Sequence, residues 1–244
     1  GQTGRDSATL ATHDGLFAVD LAAGTATPLG ESRDDVMGYS AAPGQPDLAF
    51  ASGHPAGGGN LGILRSQDGG RTWDHIADGL GGPVDFHNME VSRADPSVIY
   101  GVSHDGRVQR SGDSGVTWAA TGTAPDRLID IATSATDADT LFAASETGLM
   151  ASTDAGASWQ RITESDRPVT TVEMGPDGTL RAMQIGQGLL AWPAGAPTAV
   201  QVGTNLPGGY LLMLSTTAAE PLRLMALSAE GALVLSNDGG ATWR

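Results

Sequence analysis

Cysteine and lysine are both absent from the 244 residues of this chain. The lack of cysteine excludes disulfide bonds, thiolate nucleophiles and thiolate metal ligands. The lack of lysine excludes Schiff-base chemistry, and all 13 basic residues are arginine. Aromatic residues make up only 5% of the chain and charged residues 17%. Any chemistry must therefore use imidazole, carboxylate, guanidinium, hydroxyl or amide groups.

Long apolar segments are lacking as well. No run of about 18 apolar residues occurs, so no membrane-spanning helix is predicted, and no signal peptide is recognised. Acidic residues number 28, which gives a formal net charge of −15. Such a charge repels phosphate backbones. We therefore expect no nucleic-acid partner, and cations or basic partners match the charge better.

One short pattern, Ser-x-Asp-x-Gly-x-x-Trp, occurs four times and contains four of the five tryptophans. Its copies begin at Ser66, Ser111, Ser152 and Ser236. The intervals are 45, 41 and 84 residues, and because 84 is twice 42, one copy has lost its motif. A period of roughly 40–45 residues in a glycine-rich sequence is typical of a β-propeller with four-stranded blades.

Two degenerate repeats complete the series. Residues 188–202 follow the cadence of residues 148–162 with the motif eroded, and residues 15–29 do so at the start. We predict a single all-β domain over 1–244, a six-bladed β-propeller of four-stranded antiparallel blades, with seven blades as the alternative. The predicted blades are 8–30, 36–78, 84–122, 127–164, 168–203 and 208–244. The first blade is expected to lack its inner strand, and the last ends inside its outer strand.

The residue types in the motif suit a hairpin turn. An aspartate in such a turn accepts backbone N–H bonds, and a serine hydroxyl does so more weakly. Glycine supplies a positive φ, and tryptophan packs between neighbouring sheets. We therefore assign the four motif copies to structure rather than to a functional site.

The motif resembles the Asp-box (BNR) repeat of sialidases, sortilin-type receptors, certain endoglucanases and photosystem assembly factors. Over nearly the whole chain, the segments THDGLF, DDVMGYS, SGHP and DFHNME resemble short exported bacterial Asp-box proteins labelled glycosylhydrolase or exo-α-sialidase-like. The resemblance implies an extracytoplasmic protein, whether periplasmic, secreted or lipoprotein-anchored. It also implies that ligands bind on the face opposite the Asp-boxes.

That opposite face, the loop face, is predicted to hold the loops between blades and the turns between second and third strands. Four of the five histidines fall there: His13, His54, His87 and His104. Together with Asp34, Asp35 or Asp85, these imidazoles would suit a divalent ion such as Zn²⁺ or Cu²⁺. The alternative is that His13 and His104, each in a His-Asp-Gly sequence, only form turns.

The sialidase resemblance implies an arginine cluster for the substrate carboxylate, a Tyr–Glu nucleophile pair and an aspartate acid/base. The residues that could contact a ligand in this way are Arg33, Asp34, Asp35, Tyr39, Arg127 and Arg167. The candidate catalytic residues are Glu90, Asp130, Glu173 and Tyr210. The Arg-Ile-Pro sequence of sialidases is absent, so sialidase activity is not expected.

Three functional hypotheses follow. The preferred one is a non-catalytic binding or assembly propeller, expected to be a monomer, with a protein or carbohydrate ligand on the loop face. The second is a glycoside hydrolase, which needs two opposed carboxylates at a defined separation. The third is a metal-binding protein that uses the histidines of the loop face.

Overall fold

The computed structural model of the protein describes residues 7–217 and 222–244. In these residues the chain forms β-strands with one short 3₁₀ turn, Pro207–Gly209. Its contacts divide the chain into two compact units, one ending at Thr123 and the other beginning at Ala124. Each unit contains three antiparallel sheets. That all 244 residues form one domain stays a prediction.

The first unit contains a three-stranded sheet followed by two four-stranded sheets. The first sheet consists of β1 (Ser7–Thr12), β2 (Gly15–Asp20) and β3 (Thr25–Pro28). The second consists of β4 (Asp35–Ala41), β5 (Ala49–His54), β6 (Ile63–Ser66) and β7 (Asp74–Ala77). The third consists of β8 (Asn88–Val91), β9 (Ile99–Val102), β10 (Arg107–Ser111) and β11 (Ala119–Thr123).

The second unit contains two four-stranded sheets followed by a three-stranded sheet. The fourth sheet of the chain consists of β12 (Leu128–Thr133), β13 (Leu141–Ser145), β14 (Gly148–Ser152) and β15 (Gln160–Arg161). The fifth consists of β16 (Val169–Met174), β17 (Leu180–Gln184), β18 (Gly188–Trp192) and β19 (Val200–Gly203). The sixth consists of β20 (Leu211–Thr216), β21 (Leu224–Ser228) and β22 (Leu233–Ser236).

The six-bladed β-propeller predicted from the repeats is confirmed, with small antiparallel sheets as its blades. Strand register also explains the degenerate fifth repeat. Trp192 pairs with Leu180 in the same way as Ser152 of the preceding motif pairs with Leu141. A tryptophan therefore stands where the intact motif has its serine. In the sixth sheet, Arg244 exchanges two backbone hydrogen bonds with Leu235 of β22.

Apolar side chains of neighbouring sheets form the core. Between the second and third sheets, Phe50 and Ile63 pack with Phe86 and Ile99, and all four are fully buried. Trp118 of the second motif copy joins this cluster with its ring centroid 5.4 Å from that of Phe86. Trp73 and Trp243 of the first and fourth copies pack against apolar clusters in the same way, as burial of large apolar area favours.

The motif hairpins share one hydrogen-bond pattern, which the second copy illustrates. Ser111 Oγ donates to Asp113 Oδ1 at 2.9 Å and accepts the Gly115 N–H at 2.9 Å. Asp113 then accepts both the backbone N–H and the hydroxyl of Thr117, at 2.8 and 2.7 Å. A hydroxyl residue precedes the tryptophan in every copy, at Thr72, Thr117, Ser158 and Thr242. This fifth recurring position is visible in the alignment of the repeats but is not part of the predicted motif.

No helix in the described ranges, 7–217 and 222–244, is long and apolar enough to cross a membrane.

Trp118→Ala should lower the free energy of unfolding by about 3–5 kcal/mol, because it removes a packed aromatic side chain between two sheets. Urea denaturation measures this loss. Val116→Ala, in the same hairpin but 54% exposed, should change stability by less than about 0.5 kcal/mol. A Trp118→Ala protein as stable as wild type would contradict the packing role.

The motif aspartates should make stability depend on pH in the acid range. Hydrogen bonds from the Ser158 and Thr242 hydroxyls, together with backbone N–H groups, lower the pKa of Asp154 and Asp238 to about 2 from the ordinary 3.8. Because the folded state holds the charged form, their contribution is present above pH 3.8 and is lost as pH falls towards 2.

The Asp154→Asn/Asp238→Asn variant should therefore lose less stability than wild type between about pH 4 and about pH 2. Urea denaturation at several pH values measures the two slopes. Equal slopes for the variant and the wild type would show that these carboxylates are not linked to folding.

Candidate functional site

Phe86 anchors the loop between β7 and β8. Its side chain is fully buried, and its backbone N–H donates to Ser52 Oγ at 3.0 Å. Gly38 of β4 passes so close that a Cβ there would overlap the Phe86 carbonyl oxygen. These contacts fix the backbone on both sides of Phe86. They thereby hold Asp85 and His87 together, with Asp85 Oδ2 3.3 Å from His87 Nε2.

His54 ends β5 opposite Asp35, the first residue of β4. Gly53 permits this pairing, because a Cβ on Gly53 would overlap the Asp35 carbonyl oxygen. In the following loop, the Asn60 side-chain amide donates to the Pro83 carbonyl at 2.9 Å. That bond ties the loop after His54 to the loop that carries Asp85.

Asp35 joins two imidazoles. His13, in the turn between β1 and β2, forms a short hydrogen bond through Nδ1 to Asp35 Oδ2. His54 Nε2 lies 3.4 Å from the same oxygen, and the Met37 N–H donates to Oδ1 at 3.1 Å. The predicted convergence of turns and strand heads on one side is thus visible within the first unit.

His54, Asp85 and His87 form a group with the composition of a metal site. Each offers one ligand atom, and these atoms all lie within 4.8 Å of one another. The His54 and His87 ring centroids are 6.4 Å apart. Together with His13 and Asp35 they make up what we call the imidazole cluster, which contains three of the four histidines predicted for the loop face.

The electrostatics of the cluster centre on Asp35, which is only 4% exposed. Burial alone would raise the pKa of Asp35, but the His13 hydrogen bond, the Met37 N–H and the nearby imidazoles together lower it. The same bond from Asp35, with its negative charge, raises the pKa of His13 above 6.5. The pair is therefore an imidazolium–carboxylate pair over a wider pH range than an isolated histidine would allow.

Asp85 has an unsatisfied oxygen. Its Oδ2 faces His87, whereas its Oδ1 is buried and, among the described residues, has no hydrogen-bond partner. A buried carboxylate oxygen without a partner is uncommon and carries a desolvation cost. The loop backbone, rather than hydrogen-bond donors to Oδ1, therefore holds the carboxylate in place.

His104 lies apart from the cluster. It is exposed in the turn between β9 and β10 and belongs to no group of potential metal ligands within residues 7–217 and 222–244. The turn after β1 meets the head of β4, and the end of β5 meets the loop before β8. His13 therefore reaches Asp35 and His54 approaches Asp85, whereas His104 lies one sheet further along the chain.

Asp130, a candidate catalytic residue, binds the neighbouring inner strand. Its carboxylate accepts the Thr171 hydroxyl and the Val172 N–H, each at 2.9 Å, and also the N–H of Ile131. Burial raises the pKa of Asp130 despite these hydrogen bonds. The carboxylate thus links β12 to β16 rather than facing open solvent.

The other two candidate acids have comparable contacts. Glu90 of β8 accepts the Ser40 hydroxyl of β4 at 3.1 Å. Glu173 of β16 accepts the Thr216 N–H of β20 at 3.1 Å. All three candidate carboxylates therefore bond to a neighbouring sheet.

Both candidate tyrosines pack against apolar or aromatic side chains. The Tyr39 ring meets Trp73 edge to face with centroids 6.4 Å apart, and burial raises the pKa of Tyr39. Tyr210 packs against the apolar cluster of the sixth sheet, and its carbonyl accepts the Ala229 N–H at 3.0 Å.

The candidate ligand-binding arginines contact their own loop or a neighbouring turn. Arg33 donates to the Ser32 carbonyl at 2.6 Å, and Asp34 accepts the Ser32 hydroxyl at 2.9 Å. In the second unit, Arg127 forms an ion pair with Glu146 at 2.5 Å. The guanidinium of the sixth candidate, Arg167, lies against Gly186 of the β17–β18 turn.

The second unit carries two apolar features that the sequence analysis did not identify. Ile129, Leu212 and Met213 are about 40% exposed at the heads of the inner strands β12 and β20, beside register shifts in those strands. A groove of about 380 Å³ lies between the fourth and fifth sheets, lined by Phe142 and Trp192 among others. The groove adjoins the hairpin of the fifth repeat, where the motif is eroded.

No protein-family model matches this chain, and no curated protein matches it. Solved structures do. The GH74 xyloglucanase from Xanthomonas campestris is 20% identical with a TM-score of 0.63, and the match covers 99% of this chain and 43% of that one. The GH74 enzyme of Niastella koreensis is 17% identical with a TM-score of 0.67, over 98% and 43%.

A third similar structure is YCF48 bound to D1 peptide, 14% identical with a TM-score of 0.56, over 100% of this chain and 73% of that one. At these identities the comparisons show a shared β-propeller fold and nothing finer. The chain spans less than half the length of the GH74 enzymes that it matches.

Asp35→Asn should lower the pKa of His13 towards 6.5, because the variant removes the charge that stabilises the imidazolium. Since the folded pKa is raised, this contribution to stability is present below pH 6.5 and is lost as pH rises through the folded pKa. Histidine proton NMR in the presence of a chelator follows the titration. Asp34→Asn, one residue away, should leave it unchanged, and equal shifts in both variants would contradict the assignment.

Proposed function

We propose that this chain is a non-catalytic binding propeller of the Asp-box class. The ligand is a protein segment that contacts the exposed inner-strand heads of the second unit. The proposal includes an extracytoplasmic location, a monomer and a single domain. A carbohydrate ligand is the second candidate, because two of the similar structures are GH74 enzymes.

The observation that carries the proposal is the bonding of the candidate catalytic acids. A glycosidase needs one carboxyl group as acid and another as base or nucleophile, both facing the same sugar. Here Glu90, Asp130 and Glu173 each accept hydrogen bonds from the backbone or a hydroxyl of a neighbouring sheet. Their contacts suit the joining of sheets better than proton transfer to a substrate.

The exposed apolar side chains indicate how a protein would bind. Leu212 is 42% and Met213 41% exposed, and they are adjacent at the head of β20. Ile129, 39% exposed, has the matching place at the head of β12. Apolar side chains that a fold leaves exposed on rigid strands are suitable anchors for a partner. The net charge of −15 favours a partner segment that is basic.

The Asp-box assignment rests on the hairpin chemistry. Four hairpins use a serine hydroxyl, an aspartate carboxylate and a glycine N–H in one hydrogen-bond pattern, followed by a tryptophan. That use of the motif is structural, in keeping with binding elsewhere on the molecule.

An array of immobilised peptides of varied charge tests the proposal. The protein should bind basic peptides preferentially, and added salt should weaken this binding. Leu212→Ser should weaken this binding about fivefold or more, as the loss of an apolar anchor does. Val116→Ser removes an apolar side chain that is more exposed than Leu212, but from a motif hairpin, and should leave the binding unchanged.

The same preparations should release no sugar from xyloglucan or from a fluorogenic sialic acid glycoside. Turnover that Asp130→Asn or Glu173→Gln abolishes would overturn the proposal and make the hydrolase reading correct. Equal loss of peptide binding in the Leu212→Ser and Val116→Ser variants would remove the inner-strand heads as the binding surface.

A further inference from the structure

Two rigid segments of the first unit bring three metal-ligating side chains to one point. His54 is fixed at the end of β5 by its pairing with Asp35. Asp85 and His87 flank the buried Phe86. The Asn60–Pro83 hydrogen bond ties the two segments together. A site whose ligands sit on anchored backbone pays little ordering cost when an ion binds.

The distances suit a small transition-metal ion. Bonds of about 2.0–2.1 Å in a tetrahedral arrangement place neighbouring ligand atoms about 3.4 Å apart. Asp85 Oδ2 and His87 Nε2 are already 3.3 Å apart. The His54 ligand atom is within 4.8 Å of both, and its side chain is 42% exposed, so a modest ring rotation completes the set.

The Asp85 carboxylate has fewer hydrogen-bond donors around it than its two oxygens can accept. Asp85 Oδ1 is buried without a hydrogen-bond partner in the described part of the chain. The other oxygen, Oδ2, lies 3.3 Å from His87 Nε2. A bound cation would compensate the charge of this carboxylate, which a merely turn-forming aspartate would not require.

The remaining members of the imidazole cluster favour a cation as well. Asp35 Oδ2 lies 3.4 Å from His54 Nε2 and is held there by His13 and the Met37 N–H. It adds a fixed negative charge beside the ligand set. Groups next to the ligands that orient them and supply charge are typical of functional metal sites.

We propose that one ring nitrogen of His54, Asp85 Oδ2 and His87 Nε2 bind one divalent transition-metal ion, Zn²⁺ or Cu²⁺. His13 and Asp35 position the site and are not ligands. Three protein ligands leave a coordination position open for water or for a group from another molecule. This site is independent of the peptide-binding surface assigned to the second unit.

The donor set also predicts selectivity. Imidazole nitrogens suit Zn²⁺ and Cu²⁺, whereas Mg²⁺ and Ca²⁺ prefer all-oxygen sites with more ligands. By the general order of divalent affinities, Cu²⁺ should bind more tightly than Zn²⁺. Mg²⁺ and Ca²⁺ therefore serve as negative controls for simple attraction to an acidic protein.

Calorimetric titration of the whole chain, without a histidine tag, tests the proposal with Zn²⁺, Cu²⁺, Mg²⁺ and Ca²⁺. We expect one site for Zn²⁺ and for Cu²⁺ and none for the other two ions. His87→Ala should weaken binding at least about tenfold, and His54→Ala/His87→Ala should remove the site. Substitution of Co²⁺ should give the visible absorption bands of a four-coordinate ion, and these bands should vanish in the double variant.

The matched control is the His75–Asp78 pair, exposed on the same unit with Nε2 and Oδ1 3.0 Å apart. It offers only two ligand atoms, so His75→Ala should change the affinity less than twofold. Far-UV circular dichroism with a chelator present confirms that each variant is folded. Undiminished binding in the folded double variant, equal loss in His75→Ala, or no binding by wild type would each overturn the proposal.

Discussion

The structure depends on the hydrogen bonds that close its motif hairpins. In each intact copy a buried serine hydroxyl bonds both the aspartate and the glycine N–H, and the aspartate bonds the hydroxyl residue before the tryptophan. This closed set of bonds fixes where the tryptophan leaves the turn. In the third sheet the result is Trp118 packed on Phe86 between two sheets. The tryptophan thereby contributes to the packing of the second sheet against the third.

The imidazole cluster depends on the same contact between Trp118 and Phe86. Phe86 is the residue that Trp118 packs against, and it lies between Asp85 and His87. Burial of its ring and the close approach of Gly38 hold the loop backbone, which a solvent-exposed loop could not do for itself. Packing of the Trp118 hairpin and geometry at the imidazole cluster therefore both depend on one apolar cluster in the first unit.

Loss of the motif in the fifth repeat changes the hydrogen bonding of that hairpin and the surface beside it. Trp192 stands at the position of the buried serine, so the serine-centred hydrogen bonds of the motif cannot form there. The turn is closed instead by the Ala196 N–H, which donates to the Pro193 carbonyl at 2.8 Å. The neighbouring groove, of about 380 Å³, adjoins this altered hairpin and is lined by Phe142 and Trp192. The fold tolerates the change because strands β17 and β18 keep their full register.

The sequence by itself determined the repeats, and through them the sheets, because hydrogen-bonded turns and apolar alternation are local properties that recur with a visible period. It also placed four histidines in loops and turns of the first three repeats. Only the tertiary structure decided that His13, His54 and His87 meet while His104 does not, since contact depends on which turn reaches the next strand head. Likewise, it alone assigned Glu90, Asp130 and Glu173 to bonds between sheets. The sequence does not show whether a carboxylate faces solvent or a neighbouring strand, because that depends on how the sheets pack.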